Sequence, residues 1–312
     1  MSYLILPAVC LLLFFYLAST VLPWLALADR ISGRSRSVYY KSARQLSLLG
    51  FWLQLFLLLA LGLYLLLGGV IVSRFNGFWL QVLEIILIAL GASAVLLLLS
   101  CIWQRSSSPE QSKSSVGTLI LVLGCLHSLL AFLLGSVLGW AFLQGLTSNW
   151  QPDLALPANW LLDLTQFSGI WLFICYLAAC LFLALGVGYI LSMIWFVLRR
   201  NRDDFGRDYY TGIISRSGGR AFFFSLLLLL TAIGNLVLTW YNPLPRLGSF
   251  FDLSNEIMLI LFACLGLCLP IALLCLRSIS VSPHPMRKKT MIWLAFLLLF
   301  CWVYSWLGRI WI

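Results

Sequence analysis

The feature that most constrains this chain is the length of its uninterrupted apolar runs. Residues 53–72, LQLFLLLALGLYLLLGGVIV, carry no charged side chain. A helix rises 1.5 Å per residue, so a run of about 20 residues crosses the roughly 30 Å hydrocarbon core of a bilayer. Over all 312 residues, 62% are apolar and 10% are charged, whereas a soluble domain carries about 25% charged residues. A water-soluble enzyme is excluded. A closed β-barrel is excluded as well, because its strands alternate apolar and polar residues over about ten positions. The chain reads as an all-α integral membrane protein.

Cutting the sequence by span length gives eight transmembrane helices, near 3–28, 46–72, 78–103, 116–146, 168–198, 220–241, 255–276 and 290–308. Ala26-Leu27-Ala28 before Asp29 imitates a signal-peptidase site, but no basic residue precedes the first run. The run is also long for a signal sequence, so it is read as a retained helix.

Basic residues give the direction of each span. The links after spans one, three, five and seven hold seventeen of the 20 lysines and arginines: Arg30, Arg34, Arg36, Lys41, Arg44, Arg105, Lys113, Arg199, Arg200, Arg202, Arg207, Arg216, Arg220, Arg277, Arg287, Lys288 and Lys289. Arg74, Arg246 and Arg309 fall on the other side. Basic residues collect in cytoplasmic loops. The expected topology is therefore multi-pass in the cytoplasmic (inner) membrane, with the N- and C-termini on the outer side. The net charge of +10 is then topology, not a nucleic-acid footprint, and membrane lipid is the expected contact.

The two halves of the chain look alike. At an offset of 170, Tyr39-Tyr40 falls on Tyr209-Tyr210; at 172, Arg74, Phe78 and Glu84 fall on Arg246, Phe250 and Glu256. An even number of spans per half gives both halves the same orientation, as in parallel repeats. The expected architecture is two four-helix bundles related by a parallel pseudo-twofold repeat. The first covers 1–146, the second 168–312, and an outer interfacial linker covers 147–167. Trp150 and Trp160 in that linker suit the headgroup level. Gly135 and Gly139 form a GxxxG that permits close helix contact.

Ionisable groups inside a bilayer are costly and are the default functional candidates. Three stand out: Glu84, Glu256 and His127. Arg74 and Arg246 are candidate partners of the acids, and Asn235, Gln54 and Thr231 are weaker polar candidates. One reading makes the glutamates part of a quinone or proton path. The other makes them shallow groups paired with Arg74, Arg246 or headgroup water. His127 reads either as a partner of a haem or a quinone oxygen, or as a neutral imidazole bonded to a neighbouring helix.

The remaining chemistry is sparse. His284, the only other histidine, lies in the link SVSPHPMRKK and cannot join His127 in a bis-histidine haem site. Met193, Met258 and Met291 leave His/Met ligation conceivable, but haem is not expected. The nine cysteines form no CxxC pair. Cys264 and Cys268 share a helix face, yet without further ligands they read as packing thiols, and no metal is expected. No Ser/His/Asp set, phosphate-cradling glycine loop or HExxH is present, so catalysis by this chain alone is not expected. The Tyr-Tyr and arginine-rich links suit anionic headgroups or the docking of a cytoplasmic partner.

Asp29 through Tyr40 and the following Gly50-Phe51-Trp52 resemble the first cytoplasmic loop and second helix of the large subunit of cytochrome bd-type quinol oxidases. Glu84 resembles a glutamate early in that family's third helix, and Leu123-Gly124, Ser128 and Gly139-Trp140 are similar to its fourth. The resemblance covers roughly residues 25–145. It implies paired four-helix bundles with an outside N-terminus. The family's haem-ligating histidines have no counterpart in spans one and five, and its long quinol-binding loop is reduced here to YNPLPRLGSFFD. The resemblance therefore implies a haem-free member or accessory subunit, without oxygen reduction. NrfD-like quinone-interacting membrane subunits offer a second comparison, but their arginine-proline signature is missing.

The expected function is a haem-free integral membrane subunit of a respiratory or quinone-linked electron-transfer complex. It would anchor other subunits and line a quinone or proton path, with quinone as its only expected cofactor. A parallel-repeat transporter of small solutes or ions is the alternative, and a structural assembly factor is a third.

Overall fold

The computed structural model describes residues 2–32, 37–66, 77–106, 115–147, 167–199, 206–241 and 256–311. These form eight long helices: α1 (Ser2–Ser32), α2 (Ser37–Leu66), α3 (Gly77–Ser106), α4 (Ser115–Thr147), α5 (Phe167–Arg199), α6 (Arg207–Tyr241), α7 (Glu256–Val281) and α8 (Lys289–Trp311). A 3-10 turn, Pro285–Lys288, leads into α8. No strand occurs among the described residues. Seven helices are long and apolar enough to cross a membrane, and α7 adds the apolar stretch Gly266–Val281. Their outward residues are large and apolar, among them Leu59, Ile88 and Leu274. Such a surface suits lipid tails, and a helix satisfies most of its backbone polar groups internally, as a dry solvent requires.

The helices run past the apolar spans read from the sequence. α2 begins at Ser37 instead of near 46, and α6 at Arg207 instead of near 220. Lys41, Arg44, Arg216 and Arg220 are thus helical and not in links. At 1.5 Å per residue, the 30 residues of α2 reach about 45 Å, well beyond a hydrocarbon core of about 30 Å. One face of the first turns of α2 packs on protein: Ser42, Ala43, Gln45 and Leu46 are buried. Both Tyr-Tyr pairs fall at the third and fourth residues of their helices, Tyr39-Tyr40 in α2 and Tyr209-Tyr210 in α6.

The chain divides into two compact units, Phe15–Leu138 and Met1–Phe14 with Gly139–Ile312. In the unit Phe15–Leu138, α2 packs along α3. Tyr16 of α1 donates its hydroxyl to the Ala131 carbonyl of α4. Gly135 makes room for that tyrosine, since a Cβ there would overlap the Tyr16 ring and hydroxyl.

In the other unit, α5 packs on α6, α6 on α7, α7 on α8, and α8 returns to α5, so four helices close a ring. Phe14 belongs here and meets Phe296 and Phe300 of α8 at ring-centroid distances of 5.8 and 5.7 Å. Small residues bring α6 close to α7. Ser215 Oγ donates to the Ser280 carbonyl at 2.8 Å, and a Cβ on Gly218 would lie 3.1 Å from Ile279. Gly139 faces Tyr176 of α5, whose hydroxyl would stand 2.6 Å from an added Cβ. The GxxxG thus serves as two separate recesses, each receiving a tyrosine.

Candidate functional site

In the unit Phe15–Leu138 two groups of buried polar side chains bond from helix to helix. The first lies near the midpoints of the candidate spans Cys10–Ser32, Tyr39–Leu63, Leu80–Gln104 and Val116–Trp140. Its origin is Pro23. A proline inside a helix has no N–H, so the carbonyl four residues earlier loses its partner, and here that carbonyl belongs to Ser19. Gln54 of α2, fully buried, supplies the missing donor: its Nε2 reaches the Ser19 carbonyl at 3.1 Å. The same Nε2 donates to Ser93 Oγ of α3 at 3.1 Å. Ser93 passes the bond on, donating to the Gly124 carbonyl of α4 at 3.1 Å. One amide and one hydroxyl therefore tie four helices together. The Ser19 and Thr20 hydroxyls turn back on their own helix, to the carbonyls of Tyr16 and Leu17 at 2.8 and 2.9 Å.

The second cluster is at the C-terminal end of α1. Arg30, only 2% exposed, donates from Nε to Thr118 Oγ1 of α4 at 3.0 Å. Its guanidinium lies 5.6 Å from the centroid of the Tyr40 ring. Gly117 leaves the room for it, since a Cβ there would stand 2.6 Å from Nη2 and 2.9 Å from the Trp103 ring. Beside it, the carboxylate of Asp29 accepts a hydrogen bond from Ser42 Oγ at 2.5 Å. Arg30 counts in the sequence only as one basic residue among many at a helix end. Its burial depends on Thr118, Tyr40 and Gly117, which no local pattern joins to it.

In the other unit one polar contact joins α6 to α5 and another braces the end of α7. Arg220 Nη1 reaches Tyr189 Oη at 3.3 Å, with the guanidinium over the same ring. Lys288 Nζ donates to the Ser278 carbonyl at 3.1 Å and to its Oγ at 2.6 Å. A lysine there satisfies a carbonyl of the last turns of α7 and complements the helix dipole.

The residues singled out from the sequence are dispersed. Glu84 is exposed on α3, beside exposed Leu80, Ile85 and Ile88. His127 is half-buried and its Nδ1 bonds the Leu123 carbonyl of its own helix at 2.8 Å, not a neighbouring helix. Thr231 likewise bonds its own helix, at Leu228 O, 2.8 Å. Glu256 is the first residue of α7 and Asn235 belongs to α6, but their side chains lie outside the described set. Arg74 and Arg246, and with them the pairing of either acid, lie outside the described residues.

The site that does form is neutral at its centre. Gln54, Ser19 and Ser93 exchange hydrogen bonds without a titrating group among them. Among the described residues no group of three His, Cys, Asp or Glu is placed to hold a metal ion. Gln54 stands out in the sequence as a single amide in a leucine run, and Pro23 is one of two prolines, with Pro7, in another; their connection is tertiary. No protein family, curated protein or solved structure matches this chain.

Proposed function

We propose that the chain is a haem-free integral membrane subunit of a respiratory or quinone-linked electron-transfer complex, anchoring its partners and not catalytic by itself. The observation that supports the subunit reading is the outward placement of Glu84 among Leu80, Ile85 and Ile88. An ionisable side chain on an apolar membrane face is costly unless paired or hydrated. A second chain bringing a donor or a cation to that face removes the cost. A transporter would instead use polar groups around a midplane cavity. Here the midplane groups are a neutral amide and hydroxyls bonded to one another and to the backbone, so the subunit reading is preferred.

The quinone-linked part rests on the likeness of Asp29–Tyr40, Gly50-Phe51-Trp52 and Glu84 to the bd-type large subunit. On this reading Glu84, with Glu256 and His127, borders a quinone or proton path. The inner-membrane setting with both termini outside rests on the sidedness of the basic residues. The parallel repeat is supported by the equal placement of the tyrosine pairs in α2 and α6.

The test is photo-crosslinking in native membranes from a reactive side chain placed at Ile88. A discrete polypeptide adduct that is lost in Glu84→Lys is expected. Adducts to lipid alone would overturn the subunit reading.

A further inference from the structure

We infer that the Ser19–Pro23 step of α1 is a hinge and that Gln54 of α2 is its latch. The inference stands apart from the electron-transfer reading and needs only the contacts of the unit Phe15–Leu138. Pro23 interrupts the hydrogen-bond ladder of α1 near mid-span, where no water is at hand to repair it. Such breaks are where membrane helices bend, and they persist when a neighbouring helix satisfies the freed carbonyl. Gln54 does so from α2 at 3.1 Å. It is itself held by Ser93, which is anchored on Gly124.

The latch is reversible by construction. The joint is closed by one side-chain hydrogen bond between helices, and not by a backbone bond within α1. Rotation of the Gln54 side chain or a small slide of α2 breaks it without breaking any bond of the helical ladders. The Oε1 of Gln54 is buried and takes no hydrogen bond from the described residues. The amide is thus engaged there only through its donor side, which leaves its carbonyl able to accept a donor from an alternative arrangement. The segment on the far side of the hinge, from Trp24 to Ser32, carries Asp29 and Arg30. Movement there would be felt at Thr118 and Ser42, the partners of those two charges.

The test is a double-mutant cycle read by hydrogen–deuterium exchange of α1 in the purified full chain. Gln54→Met keeps the side-chain volume and removes the donor. Pro23→Ala restores an N–H to the Ser19 carbonyl and makes the latch redundant. With Pro23 in place, Gln54→Met is expected to raise exchange of residues 19–27 by about three- to thirtyfold, the range for an interhelical hydrogen bond in a membrane protein. In the Pro23→Ala background the same change should move exchange by less than about twofold. Accumulation of the Gln54→Met protein only when Pro23→Ala is also present would support the latch equally. An equal effect in both backgrounds, or equal failure to accumulate, would overturn it and leave Gln54 acting through Ser93 or packing alone.

Discussion

Glu84 and Ser93 stand on opposite faces of α3, the first exposed and the second fully buried. They are nine residues apart in the chain, about two and a half turns at 3.6 residues per turn. The polar interior and the outward acid are therefore separate features of one helix, and they answer to different experiments.

Changing the outward acid should leave the fold intact and weaken association. Glu84→Gln is expected to alter thermal stability of the isolated chain by less than about 0.5 kcal/mol, as for an exposed site. Recovery of partner polypeptides on affinity purification should fall. A large loss of stability with unchanged partner recovery would contradict the outward, partner-facing role.

Changing the inward hydroxyl should do the reverse. Ser93→Ala removes both the acceptor for Gln54 and the donor to Gly124. A loss of about 0.5–2 kcal/mol is expected, measured by equilibrium unfolding in mixed micelles. Partner recovery should be unaffected.

The glycines of α4 give a steric prediction with an internal control. Gly135→Ala drives a methyl into the Tyr16 hydroxyl and Gly139→Ala drives one toward Tyr176. Each should destabilise by about 1–3 kcal/mol, the usual cost of overpacking. Gly62→Ala meets nothing within 4 Å and should be neutral or stabilise by up to about 1 kcal/mol, because alanine is the better helix former. Thermal scans of the three variants in one detergent check the ordering.

The buried guanidinium makes a fourth prediction. Thr118→Val removes the acceptor of Arg30 Nε, and the buried donor it leaves costs about 1–3 kcal/mol. Arg30→Lys should not substitute. A lysine ammonium has no planar group to lie over Tyr40 while donating to Thr118. Unfolding of Arg30→Lys at a temperature as low as that of Thr118→Val, or lower, is the expected result.

Much of the architecture is legible in the sequence because its cause is local. Uninterrupted leucine-rich runs leave a chain in lipid no choice but helix, and the eight helices fall where those runs fall. Their ends are less legible. Lys41 and Arg44 read as loop residues, since charge ends an apolar span, yet a helix does not stop where the hydrocarbon does. The candidate site is legible only in pieces. Gln54 is visible as a polar side chain in an apolar span, but its link to the carbonyl that Pro23 frees at Ser19 is not, because the register that brings α2 to α1 is set by packing. Glu84 is visible as an ionisable group in an apolar span. Its side of α3 follows from which face the buried Val82, Ile86, Ala89, Leu90 and Ser93 claim. His127 reads from the sequence as a partner of a haem or a quinone oxygen, or as an imidazole bonded to a neighbouring helix; in the structure its Nδ1 bonds Leu123 of its own. An Nδ1 without a partner in lipid takes the nearest carbonyl, four residues back.

The most direct test of the proposed function is purification of the full chain from its native membranes in mild detergent, with mass spectrometry and an optical spectrum of the product. A stoichiometric complex containing a subunit that carries a redox cofactor is predicted, and the chain separated from it should show no haem absorbance. Recovery of the chain as a solitary species, with no companion polypeptide and no redox cofactor, would contradict it.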